Sequence, residues 1–247
     1  RLGHAVTLLS VVGDDPLGEW LLRQTSEAGV DVAEVRADPR PTGLFVTVKP
    51  EDGEGWSVAD ASSLEALDAA AIDKWRDAIT GARAVASDAN LSEPAQQALA
   101  ARAGGLPRIL LATSPLKAVR LRPVLAGAAV VVCNRSEALV LTGLPPTLGW
   151  QALGTALLTE GVQCVVLTLG PAGIAVLTAD EAVKVPAAPV PIVDPAGAGD
   201  AVGAVATHAC LAGLEPEKTA TLAAAAAAVI VQSEENTPAA LAAVITS

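Results

Sequence analysis

The residues best placed to do chemistry are Asp194-Pro195-Ala196-Gly197-Ala198-Gly199-Asp200, which run directly into a helix-favouring stretch. Gly197 and Gly199 allow a sharp turn and a close approach of the backbone to a ligand. The N–H groups of Ala198, Gly199 and Asp200 would then point out of the helix start, where the helix dipole also favours negative charge. Phosphate oxygens suit such a place. The carboxylate of Asp200, at the same helix start, could take a proton from an attacking hydroxyl, as a general base does in phosphoryl transfer. The plainer reading of these residues is a glycine turn with Asp200 as an N-cap.

Composition narrows the field around that motif. The chain has 247 residues, 51% hydrophobic and 17% charged, enough for a sizeable core and too apolar for disorder. Aromatic residues are 2%, with no Tyr and Phe45 as the one Phe, so the core is expected to consist of Ala, Val and Leu. The net charge of −11, from 27 acidic and 16 basic residues, comes without any Lys/Arg cluster and argues against a nucleic-acid partner. An anionic ligand held by a few backbone N–H groups remains compatible with it. Cys133, Cys164 and Cys210 lack zinc spacing and are odd in number; they read as small buried hydrophobes in a reducing cytosol. His4 and His208 form no metal cluster with them. The apolar run Thr221 to Val231 is too short to span a bilayer, and no signal peptide opens the chain, so a cytoplasmic protein without a membrane partner is expected. The chain has no Met, and Leu2 to Leu9 reads as a helix end, a Gly stop and a strand. A start inside a domain is therefore expected.

The elements that must position the motif follow from periodicity. Val6 to Val12 is a continuous apolar run that reads as a buried parallel strand, followed by a turn and a helix from Glu19 to Ala28. Val30 to Val32 leads towards a second strand. Thr42 to Val48 alternates, Glu51 to Gly55 is a hairpin turn, and Trp56 to Ala59 returns. With no helix between its strands, this hairpin reads as a flap beside the main sheet. Beyond Asp60, helices are expected at Leu67–Ile79, Pro94–Arg102, Ser136–Thr142, Trp150–Glu160, Ala201–Leu211 and Thr219–Val231. Strands are expected at Ala84–Ser87, Ile109–Ala112, Val130–Cys133 and Cys164–Leu169, the last paired with Ile174–Leu177 across a Gly170–Gly173 turn. Alternation of this kind implies a mostly parallel sheet covered on both faces, with ligands at the carboxyl ends of its strands.

The stretch D-P-A-G-A-G-D-A-V from Asp194 to Val202 resembles the C-terminal signature of the ribokinase-like (PfkB-type) carbohydrate and nucleoside kinases, approximately D-T-x-G-A-G-D-A-F. Pro195 and Val202 depart from it. Three further pieces match in order. Gly13-Asp14-Asp15-Pro16-Leu17-Gly18 resembles the family's G-x-D-x-x-G turn. Asn134-Arg135-Ser136-Glu137 is similar to its N-x-x-E motif, and Thr168-Leu169-Gly170-Pro171-Ala172-Gly173 to its T-x-G-x-x-G nucleotide loop. From the residues alone, the second is equally a helix start with an N3 Glu, and the third a hairpin turn.

The resemblance implies a three-layer α/β/α sandwich with a small β lid, the core formed by residues 1–36 and 63–247 and the lid by 37–62. It implies ATP and Mg²⁺ as cofactors, with room for a monovalent cation such as K⁺. It assigns the anion hole and base to Gly197, Ala198, Gly199 and Asp200, the nucleotide to Thr168, Gly170, Gly173 and Asp194, and phosphate and Mg²⁺ to Asn134 and Glu137. Within the family, Asp88-Ala89-Asn90-Leu91, Ser114-Pro115-Leu116-Lys117-Ala118, Val231-Gln232-Ser233-Glu234-Glu235 and the flap ending at Asp60 resemble pseudouridine kinases. That resemblance places Asn90 and Lys117 on the substrate and makes the 5′-hydroxyl of pseudouridine the acceptor. Ribose, adenosine or another nucleoside is the alternative acceptor, and a non-catalytic nucleotide-binding module the alternative role. Family lids often pair two copies, so a homodimer through the flap is expected, with Phe45 and Trp56 as interface or lid-core residues. The family's substrate-reading first strand and Gly-Gly element have no match here, and the 247-residue chain by itself is expected to be poorly active.

Overall fold

The computed structural model describes residues 2–48, 56–234 and 238–245. The first third carries β1 (Val11–Gly13), α1 (Pro16–Glu27), β2 (Arg36–Asp38), β3 (Leu44–Val48) and β4 (Trp56–Asp60). After a 3₁₀ turn at Ser62–Ala66 come α2 (Ala69–Lys74), α3 (Arg76–Thr80), β5 (Val85–Asp88), α4 (Glu93–Ala103) and β6 (Arg108–Leu111). Next are α5 (Pro115–Ala118), a 3₁₀ segment at Val119–Val124, β7 (Val130–Asn134), α6 (Arg135–Thr142), α7 (Trp150–Thr159) and β8 (Cys164–Thr168). The chain closes with β9 (Ile174–Leu177), β10 (Ala182–Val185), α8 (Ala198–Ala212), α9 (Pro216–Val231) and α10 (Leu241–Val244).

The central sheet has six strands in the order β10-β9-β8-β7-β6-β5. Strands β5 to β8 are parallel, and β9 and β10 return antiparallel. Alternation along each strand divides the core. Val131, Cys133, Val165 and Leu167 face α6 and α7, together with Leu141, Leu153 and Leu157. Val130, Val132, Val166 and Val176 face the other side, against Val202, Val205 and Ala223 of α8 and α9. The fold is thus an α/β sandwich of three layers. Because helices cover both faces, the inner strands β7 to β9 are apolar along most of their length, whereas the edge strands β5 and β10 carry Ser87, Asp88 and Lys184. Val, Leu and Ala dominate the core as expected, with one aromatic exception among the described side chains: Trp75 is 2% exposed and donates its indole N–H to the Glu34 carbonyl at 3.0 Å.

Several expectations need correction. Val6–Val12 is not one buried strand. Only Val11–Gly13 pairs as a strand, with β2 in a separate parallel ribbon, and Thr7 bridges Asp31, where Val30–Val32 was expected to lead to a strand. Val6 and Leu8 are exposed, so the apolar run does not join the six-stranded sheet. The helix expected at Leu67–Ile79 is divided. Asp68 caps the Ala71 N–H and starts α2 there, and buried Trp75 separates α2 from α3. Of the cysteines, Cys133 is buried and its thiol pushed far up by desolvation, whereas Cys164 and Cys210 are half-buried. Burial carries Cys164 to about 11. Strand β10 and helix α10 were not expected. The Glu51–Gly55 turn lies outside the described residues, as do Glu235 and the Trp56 side chain.

Strands β3 and β4 pair antiparallel as their own two-stranded sheet, and every residue of β3 is exposed. Such a ribbon is marginal in isolation, so its root matters. Asp15 caps α1 through the Gly18 N–H at 2.8 Å. The same carboxylate accepts the Thr42 N–H and the Thr42 hydroxyl, both at 2.7 Å. The hydroxyl in turn accepts the Gly13 N–H at 2.9 Å. The G-x-D-x-x-G stretch therefore ties the base of the hairpin to the core.

Thr42 is buried, so Thr42→Val strands a buried N–H group and should destabilise the fold by about 1–3 kcal/mol, read as a lower urea midpoint. Hydrogen bonds from Thr42 hold Asp15 below its ordinary value. The stability this provides is complete above about pH 4 and disappears as pH falls through the lowered folded value. Thr42→Val should flatten that part of the acid denaturation curve.

Candidate active site

Register sets the geometry of the open end of the sheet. Asp88 of β5 pairs with Leu111 of β6, Leu111 with Val132 of β7, and Asn134 of β7 with Thr168 of β8. All four parallel strands therefore end at one edge, where ligands collect in folds of this type. The motif before α8 is anchored nearby: the N–H groups of Val193 and Asp194 both donate to the Val231 carbonyl at the end of α9, at 2.7 and 3.3 Å.

Gly197 caps α8 in the left-handed region, φ +81°, which only glycine adopts at little cost. Its carbonyl accepts the Ala201 N–H at 3.0 Å. The Ala198 N–H is turned back onto Pro195 at 3.3 Å, whereas those of Gly199 and Asp200 take no partner among the described residues. A Cβ at Gly199 would meet nothing within 4 Å, so the cradle is open on that side. Asp194 accepts the Ala196 N–H at 3.1 Å and shapes the turn. Asp200 reaches solvent, yet its surroundings raise its pKa, first by desolvation and then by the negative charge of Asp88. A carboxylate shifted in that direction is a better base near neutral pH.

On one side lies the start of α6. Asn134 and Glu137 form a reciprocal capping box: Asn134 Oδ1 accepts the Glu137 N–H at 2.9 Å, and Glu137 Oε2 accepts the Asn134 N–H at 2.8 Å. The helix-start reading of N-x-x-E is thus built into the structure. Glu137 is 5% exposed, and desolvation raises its pKa against the lowering effect of those bonds. A cavity of about 380 Å³ opens beside it, lined by Asn134, Arg135, Ser136, Trp150, Thr168 and Lys184 and floored by the Gly170 turn. Gly173 closes that turn at φ +97°, where a Cβ would stand 1.9 Å from the Val185 carbonyl. Among the described residues no cluster of three or more His, Cys, Asp or Glu could cage a metal. Glu137, with one oxygen committed to Asn134, suits a hard cation held through water and ligand phosphates.

On the other side lie the ends of β5 and β6. Lys117 Nζ donates to Asn90 Oδ1 at 2.5 Å, so the two residues expected at the substrate meet. Asp88 accepts the Asn90 N–H at 2.7 Å, and Arg120 binds the Ala89 and Asn90 carbonyls at 3.3 and 2.9 Å. Thr113, exposed at the end of β6, sits at φ +59°, a strained position for a β-branched residue of the kind that gathers at functional sites. No motif assigns a site role to Thr113, Arg120 or Lys184, and Asp88 and Trp150 enter the sequence reading only as the first residue of the D-x-N-L stretch and the start of a helix. Only the short alternation Ala182–Val185 could have signalled Lys184, through an edge strand.

Residues 1–241 match the pfkB family carbohydrate kinase profile. The chain belongs to the pfkB family. Among curated relatives, an uncharacterized sugar kinase of Escherichia coli (strain K12), YeiI, is 33% identical over 127 residues, 51% of this chain and 35% of its own. The pseudouridine kinase of the same organism is 30% identical over 145 residues, 58% of this chain and 46% of its own. The matched segments thus span less than half of either protein. The ribokinase of Mus musculus is 29% identical over 218 residues, 84% of this chain and 67% of its own. The fold is that of Arabidopsis thaliana ribokinase, solved with ribose and ATP (TM-score 0.86, 23% identity, 99% of this chain and 82% of that one). It is equally that of the adenosine kinase from Sinorhizobium meliloti (TM-score 0.84, 22% identity, 99% and 78%).

Asn134→Ala removes the cap acceptor at α6 and should cost about 1 kcal/mol of stability, measured by chemical denaturation.

Proposed function

We propose that the protein transfers the γ-phosphoryl group of ATP to a hydroxyl group of a sugar or nucleoside. The observation that carries this reading is the start of α8, where two N–H groups without a partner among the described residues and a carboxylate of raised pKa share one turn. The cavity beside β7 and β8 is on the nucleotide side, and the Asp88–Asn90–Lys117 cluster is on the acceptor side. Asp200 takes the proton of the acceptor hydroxyl as its oxygen attacks the γ-phosphorus. The bond from that phosphorus to the β-bridging oxygen breaks, and ADP leaves. The Gly199 and Asp200 N–H groups donate to the oxygens on which charge develops. Asn134 and Glu137 would hold Mg²⁺ through water and phosphate, and the ion would neutralise phosphate charge when bound. Residues 37–62 act as the lid on the core of residues 1–36 and 63–247. Exposed Leu44, Phe45, Val46 and Val58 on the hairpin suit pairing with a second copy.

The acceptor we favour is the 5′-hydroxyl of pseudouridine. The Asn90–Lys117 contact joins two of the four stretches that resemble pseudouridine kinases, and a curated pseudouridine kinase is among the relatives. The longer match to a ribokinase makes ribose the second reading.

Incubation with ATP, Mg²⁺ and pseudouridine, uridine, adenosine or ribose, read by mass spectrometry, tests both. Pseudouridine monophosphate is expected at a low rate; product from uridine, ribose or adenosine alone reassigns the acceptor, and no ATP-dependent product above the Asp200→Asn background from any of them overturns the kinase reading. Asp200→Asn should lower kcat by roughly 10²–10⁴-fold. Because the base must be ionised, activity should fall on the acid side, with its midpoint above the ordinary Asp value of about 4. A midpoint at or below that value would contradict the role of Asp200.

A further inference from the structure

The cavity beside β7 and β8 contains positive charge that the proposed chemistry has not used. Lys184 pairs in register with Ala175 of β9. Ala175 belongs to the core on the α6–α7 side, whereas neighbouring Val185 packs on the α8–α9 side. Strand alternation therefore gives Lys184 to the α6–α7 side, where it lines the cavity with Trp150 and Arg135. Lys184 makes no hydrogen bond or ion pair with another described residue. Arg135 uses one donor on the Pro146 carbonyl at 2.6 Å. The hydroxyls of Thr168 and Ser136, on the same lining, have no partner among the described residues. No Asp or Glu lines the cavity, in a chain whose 27 acidic residues outnumber its 16 basic ones. Two cations with no facing carboxylate fit an anion supplied from outside.

We propose that Lys184, with Arg135 beside it, binds the phosphate chain of a nucleoside di- or triphosphate, and that Trp150 forms a wall of the same subsite. This deepens the kinase reading and rests on it for the identity of the nucleotide. A Lys on an edge strand also has a simpler use, in blocking edge-to-edge association, and the two are separable.

The test measures equilibrium affinity for ATP, ADP and adenosine by calorimetry, in the unaltered protein and in Lys184→Gln and Lys184→Arg. Lys184→Gln should weaken ATP and ADP about tenfold, the weight of one charge-assisted contact, and leave adenosine unchanged. Lys184→Arg should restore most of the loss. Melting temperatures verify that both variants fold. Unchanged ATP affinity in folded Lys184→Gln, or an equal loss for adenosine, overturns the proposal. Association of Lys184→Gln into larger species with ATP affinity retained assigns the residue to edge protection instead. Product formation, compared with Asp200→Asn, reports separately on the kinase reading. ATP affinity that depends on Lys184 in a protein yielding no phosphorylated product would sink the kinase reading and leave the phosphate subsite standing.

Discussion

The parallel register of β5 to β8 is the constraint on which the site depends. It fixes four strand ends at one edge and sets their order across it. Asp88 and Asn90 come from one flank, Asn134 and Thr168 from the other, and the start of α8 supplies Asp200. No single segment contains this arrangement. The ladder is buried on both faces, with Val131, Val165, Val166 and Leu167 fully enclosed. The apolar layers hold the register, and the register places the polar ends.

Polar groups at this edge have two uses. The Asn134–Glu137 capping box satisfies helix N–H groups and also fixes Asn134 on the lining of the cavity, with the Glu137 carboxylate buried behind it. Asp194 shapes the turn that Gly197 completes. By contrast, the Gly199 and Asp200 N–H groups, Lys184 and the Thr168 hydroxyl have no partner among the described residues. Polar groups gathered at one rim without a protein partner are free to meet a ligand there.

Much of this was legible in the sequence, for identifiable reasons. The buried strands announce themselves as apolar runs because both faces are covered, and the turn and helix start at Gly197 to Asp200 were legible because glycine spacing and a helix start are local properties. The failures arise where tertiary contacts override local pattern. Val6 to Val12 has the composition of a core strand, yet only Val11–Gly13 forms a strand, paired with β2, and Thr7 adds a single bridge to Asp31. The break at Trp75 depends on an indole seeking the carbonyl of Glu34, distant in sequence. Lys184 and Trp150 meet at one cavity only because β9 and β10 turn back along the sheet.

The Asp15 carboxylate at the root of the hairpin has a mechanical consequence. One carboxylate clasps both the first turn of α1 and the first residues leading into β3. Helix and hairpin therefore share a fulcrum. A tilt of one is transmitted to the other through three short hydrogen bonds rather than absorbed by slack chain. The exposed flank of α1, where Trp20 lies, thereby becomes the far arm of the lever that carries the flap.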